Sequence, residues 1–126
     1  TLTGKVPMET YKTMMDRADV VINAALKEGA VTVSFDCMAM GKPLICLDTT
    51  GYTRYFTNEY AILIPRTGRK EVIQNIRDGI LRLTDSRERE MLGRKAQEAS
   101  CKFSWENHGK EIRDAIVKTY ISYSSK

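Results

Sequence analysis

Three short runs, "DVVINAAL" (19–26), "KPLICLD" (42–48) and "YAILIP" (60–65), are apolar with little of the alternation that marks a strand with one wet face. A strand has two faces, so such a run must be covered on both, as it is in a parallel sheet between helical layers. Parallel neighbours cannot be joined by a tight hairpin and need a crossover, usually a helix. The first two runs are separated by Ala30 to Met40, a segment of helical length and spacing with Gly41 placed to end it. "GYTRYFTNE" reads as a turn or short helix before the third strand, which Pro65 ends. Strands alternating with helices imply right-handed crossovers and the doubly wound α/β class.

The flanking segments are helical. "METYKTMMDRA" reads as a helix from Met8 to about Arg17, with Met8, Tyr11, Met14 and Met15 on one side. Val72, Ile73, Ile76, Ile80, Leu81 and Leu83 recur at helical steps over about 69–83. Asp85 with Glu88 forms a capping box for a helix reaching Lys102, and Ser104 caps a last one whose Ile112, Ala115, Ile116, Thr119 and Tyr120 share a face. These extra C-terminal helices are expected to pack outside the sheet or against another domain. A sheet of about three strands is small, so the expectation is one domain over 1–126 that is a piece of a larger protein.

Composition narrows the function classes. With 42% hydrophobic and 29% charged residues the chain can bury a core and is not disordered. No apolar run is long enough to span a bilayer, and "TLTGKVPMET" is not a signal peptide, so the expected location is cytoplasmic. The net charge of +4 resides in the C-terminal half, but in segments such as "DSREREMLGRK" the signs alternate, which describes a solvated helix face and not a nucleic-acid stripe. A weak attraction to anionic lipid headgroups, and with it a peripheral membrane contact, stays open. Cys37, Cys46 and Cys101 have no zinc spacing and only His108 to join them, so no metal site is expected and the thiols read as reduced core residues. Met14, Met15, Met38 and Met40 read as core fillers, Phe103 and Trp105 as anchors of the final helix, and His108 as exposed.

Chemistry concentrates in "KEGAVTVSFDCMAMGKPLICLD" (27–48). In open α/β sheets, ligands bind beyond the carboxyl ends of strands, where the next helix begins. Glu28, Gly29, Ala30 and Val31 occupy that place; free helix N–H groups suit a phosphate and glycine permits close approach. Asp36 follows Glu28 by eight residues, about 12 Å along a helix axis. That is the length of a sugar, a diphosphate and a ribose laid end to end, and a carboxylate can accept from both hydroxyls of a diol. The alternative from spacing alone is an acid favoured by the helix dipole and an Asp facing water.

The same stretch resembles the signature of GT-B glycosyltransferases, especially retaining family 4: E-G, a second acid eight positions after the first, then A-x-G-x-P and a strand. "GKVPMETYKTMMDRADVVINAAL" looks like the helix and strand before that signature. "YAILIP" looks like the strand after it, and "LGRKAQEASCKFSWENHGKEI" like the family's closing helices. The resemblance implies a Rossmann-like C-terminal domain, the donor-binding half of a two-domain enzyme. Such an enzyme transfers a sugar from a UDP- or GDP-sugar, with no cofactor and no metal. By it, catalytic Glu28 contacts the sugar, the backbone of Gly29, Ala30, Val31 and Thr32 meets the diphosphate, and Asp36 holds the ribose. Asp36 stands where the family has Glu, Ala24 and Ala25 replace a frequent P-S, and Gly51 and Arg54 stand where "GG" and an acid are common. The implied partners are the nucleotide sugar and an N-terminal acceptor domain. That domain would supply the glycine-rich loop, and the Arg and Lys for the diphosphate would likewise precede Thr1, so the chain alone is expected to be inactive. Two other readings keep the fold: a nucleotide-sugar epimerase, and a non-catalytic Rossmann-like binding module.

Overall fold

β2, Leu44–Asp48, lies between β1, Val21–Asn23, and β3, Ile62–Pro65, and both pairings are parallel. The computed structural model describes residues 3–27, 32–49 and 55–124. The order of elements is α1 (Met8–Arg17), β1, α2 (Thr32–Ala39), β2, β3, α3 (Arg69–Arg82), α4 (Ser86–Ser100) and α5 (Trp105–Ser124). A short 3₁₀ turn, Cys101–Phe103, joins α4 to α5. This is the α/β architecture expected from the apolar runs, with a Rossmann-like parallel sheet among the described residues.

Register sorts the strand side chains onto two faces. Ile22, Ile45 and Ile62 are paired in one row, and Asn23, Cys46 and Leu63 in the next, on the opposite side of the sheet. One core contains Leu44 and Cys46 with Met15, Cys37, Met38, Phe56, Ala61, Ala96 and Ala99. The other contains Ile45, Leu47, Ile62 and Ile64 with Leu83 and Leu92, against which Val72 and Ile76 pack. β2 faces both, and Leu44 to Leu47 are at most 3% exposed. Burying each such aliphatic side chain contributes roughly 1.5–3 kcal/mol.

β1 departs from the expectation of a strand covered on both faces: Val21 and Asn23 are half-buried and Ile22 is 45% exposed. The reason is its place at an edge of the sheet. α3 lies over the other two strands, with Gly79 against Ile45 and Ile62. At the opposite edge, Asn58 Oδ1 accepts from the Leu63 amide at 3.2 Å, occupying an edge donor.

Gly41 ends α2 as the sequence suggests. Its φ is +64°, its amide donates to Met38 O at 3.0 Å, and the Lys42 amide donates to Cys37 O at 2.8 Å. This is a Schellman termination, which needs a residue in the left-handed region. α4 packs directly on that turn. Gly93 is so close to Gly41 that an added Cβ would run into the Gly41 carbonyl, and Gln97 Nε2 donates to Ala39 O at 3.3 Å.

Helix ends and faces refine other expectations. Asp85 caps α4, accepting from the Arg87 amide at 2.9 Å, but Glu88 pairs with Arg82 instead of closing a capping box. Ser104 caps α5, accepting from the Asn107 amide at 3.2 Å. The buried stripe of α3 and its exit is Val72, Ile76, Gly79 and Leu83, leaving Ile73, Ile80 and Leu81 largely exposed. Met15 and Met38 are core residues whereas Met14 and Met40 are exposed. Trp105 is 88% exposed, and it is Phe103 whose ring meets the rest of the fold, 5.3 Å from Phe35 and 6.0 Å from Tyr55. α5 has no buried residue, and its Ile112, Ile116, Tyr120 and Tyr123 are exposed. No helix among the described residues is long and apolar enough to cross a membrane.

Two predictions follow from this packing. Gly93→Ala should cost about 1–3 kcal/mol of stability, read from urea unfolding, because two backbones and not a flexible side chain would have to separate. Cys37 and Cys46 are buried and their thiols are pushed up to about 12, chiefly by that burial and then by Asp36 and Asp48 respectively, whereas Cys101 is exposed instead of being a core residue. Ellman's reagent at pH 8 should therefore titrate one thiol in the native chain and three after denaturation.

Candidate functional site

All three parallel strands deliver their carboxyl ends to one edge of the sheet, and α2 starts from that edge after β1. Asn23, the last residue of β1, shapes the exit. Its Oδ1 accepts from the Ala25 amide at 3.1 Å and its Nδ2 donates to Ser34 Oγ at 3.5 Å. The first contact is an Asx turn, and the second ties the strand end to the fully buried Ser34 on α2. An Asn inside an apolar strand run is the sequence signal for this role, and spacing arguments centred on acids pass over it.

Among the residues expected to form the site, Glu28, Gly29, Ala30 and Val31 lie outside the described residues, as do Gly51 and Arg54. Thr32 begins α2 and is exposed; Asp36 lies one turn further and is half-buried. Four residues apart on a helix, they share a face. Asp36 does not simply face water: Tyr11 Oη donates to Asp36 Oδ2 at 2.7 Å across 25 residues of sequence. Burial first, and then the Asp36 carboxylate, push the Tyr11 phenol above its ordinary value, so the hydroxyl keeps its proton. Sequence reasoning assigned Tyr11 only to a helix face and gave no sign of this contact.

Next to Asp36, α2 carries Phe35, whose ring lies 5.7 Å from Tyr55, 5.4 Å from Phe56 and 5.3 Å from Phe103. These rings come from α2, the β2–β3 connection and the 3₁₀ turn. Those of the connection and the turn brace the helix that carries Asp36 from two distant parts of the chain. Lys42 Nζ donates to Asp16 O at 2.5 Å, tying the end of α1 to the turn after α2. The two helices that hold Tyr11 and Asp36 are thus joined at a second point.

At the end of β2, Thr49 is 5% exposed, and its Oγ1 is the one buried side-chain polar atom without a hydrogen-bond partner among the described residues. An orphaned buried hydroxyl costs about 1–3 kcal/mol. Among the described residues, no group of three or more His, Cys, Asp or Glu is placed to hold a metal ion. Among the described residues the arrangement offers a half-buried carboxylate with free acceptor capacity one turn into a helix, a combination suited to hydroxyl-bearing, anionic ligands. Removing the orphan by Thr49→Val should raise stability by about 1 kcal/mol in urea unfolding.

No curated protein matches the chain. Residues 1–99 match the family described as glycosyl transferases group 1. The matched span contains the whole sheet, the α2 face that carries Thr32 and Asp36, Tyr11 on α1, and nearly all of α4. With most of its length matched, including every described strand, the chain belongs to the group 1 glycosyltransferases.

Proposed function

We propose that the chain is the donor-binding, C-terminal half of a retaining, family 4-like glycosyltransferase, acting on a UDP- or GDP-sugar together with an N-terminal acceptor domain. One observation carries the reading. At the carboxyl edge of a parallel sheet, α2 presents Thr32 and Asp36 on one face, with Asp36 held by Tyr11, and Glu28 and Gly29 precede it in the sequence.

In this reading the nucleotide sugar lies along the start of α2. Asp36 accepts from the ribose diol, and the amides of Gly29, Ala30, Val31 and Thr32 face the diphosphate. Glu28 accepts from hydroxyls of the sugar. As the bond from the sugar to the diphosphate breaks, negative charge grows on the leaving oxygen. Fixed amide dipoles aimed at that charge stabilise the transition state more than the ground state. The remaining positive charge for the diphosphate comes from residues outside this chain, which alone does not turn over.

Calorimetric titration with UDP- and GDP-sugars tests the proposal. Asp36→Ala should weaken nucleoside diphosphate binding roughly tenfold to a hundredfold, the size of hydrogen bonds to a charged group. Glu28→Ala should leave the nucleotide sugar binding no tighter than the bare diphosphate, and should abolish transfer when the chain is joined to its acceptor domain. Absence of binding at millimolar concentration, or unchanged affinity in both variants, would overturn the assignment.

A further inference from the structure

We infer that Tyr11 is a positioning residue for nucleotide recognition: its hydroxyl holds the Asp36 carboxylate in the orientation that receives the ribose. The inference rests on the donor-binding reading above and adds a residue from a different helix to it.

The hydrogen bond is short, 2.7 Å, partly buried, and links α1 to α2. Among the described residues Tyr11 is the only hydrogen-bond partner of the Asp36 carboxylate. A carboxylate has about four lone-pair positions, two on each oxygen. Tyr11 occupies one on Oδ2, which leaves the whole of Oδ1 for a diol. The tyrosine is itself held in place. Its ring packs against the core that contains Met15, Cys37 and Met38, and α1 is tied down by Lys42 at Asp16 O. A rigid donor on one oxygen removes the torsional freedom that Asp36 would otherwise lose on binding, so affinity is gained without a new ligand contact.

A structural tie between α1 and α2 would also use this bond, but the two roles differ in what they do to ribose selectivity. UDP and GDP, each with its 2′,3′-dideoxy form, are titrated into the wild-type chain, Tyr11→Phe, Asp36→Ala and the double variant. Positioning predicts that the wild type prefers the ribo form. It predicts that Tyr11→Phe loses about tenfold for the ribo form and nothing for the dideoxy form, and that Tyr11→Phe changes nothing further once Asp36 is alanine. Equal losses for both forms, or no loss, would overturn the role of Tyr11 while leaving the donor site intact. Failure of the wild type to bind either diphosphate would overturn the donor-binding reading itself, and this inference with it. Should Tyr11→Phe not fold, Tyr11→His, which keeps a ring and a donor, should retain part of the ribose preference, and its complete loss in a folded Tyr11→His chain would count against the proposal.

Discussion

The structure depends on the double burial of β2. Leu44 and Cys46 close one hydrophobic layer and Ile45 and Leu47 the other, so four consecutive residues hold two cores to one backbone. Every helix that matters to the candidate site is positioned relative to this strand. α2 leads into it through the Gly41 turn, α4 sits on that turn through Gly93, and α1 is tied to the same corner by Lys42. The corner is backbone against backbone, which leaves little freedom for α2 to tilt. A helix that presents a carboxylate in a fixed orientation benefits from that restriction, because precision at Asp36 is inherited from packing several residues away.

The site face of α2 and its core face are set by different kinds of contact. Ser34, Cys37 and Met38 point into the protein, Phe35 leans on a ring cluster, and Thr32 and Asp36 are left on the remaining side. Polar contacts then finish what packing starts. Asn23 fastens the end of β1 to Ser34, and Tyr11 fastens Asp36 to α1. α5 is organised differently: charge pairs such as Lys110 with Glu106 decorate it, and none of its residues is buried.

Much of the fold was legible because strands buried on both faces and glycine-ended helices leave local marks. The limits of α1 and α3, the stop at Gly41 and the caps at Asp85 and Ser104 could all be read from neighbouring residues. What could not be read was which apolar residue on a helix faces inward when several compete. Ile73 and Val72 are adjacent and similar, yet only Val72 meets the sheet. Met14 and Met15 divide in the same way, and Trp105 is exposed while Phe103 finds Phe35. Hydrophobicity alone does not choose between such neighbours; the crossing of a helix over the sheet does.

The sequence by itself determined the order of the elements and the parallel sheet, since both rest on local pattern and backbone preference, and it set Glu28 and Asp36 eight positions apart in the chain. Only the tertiary structure decided the company those residues keep. It brought Tyr11 to Asp36 across 25 positions, set Gly93 against Gly41, and left Thr49 buried without a hydrogen-bond partner among the described residues. Contacts of that kind depend on how helices from distant parts of the chain cross one central strand, and no local spacing encodes that crossing.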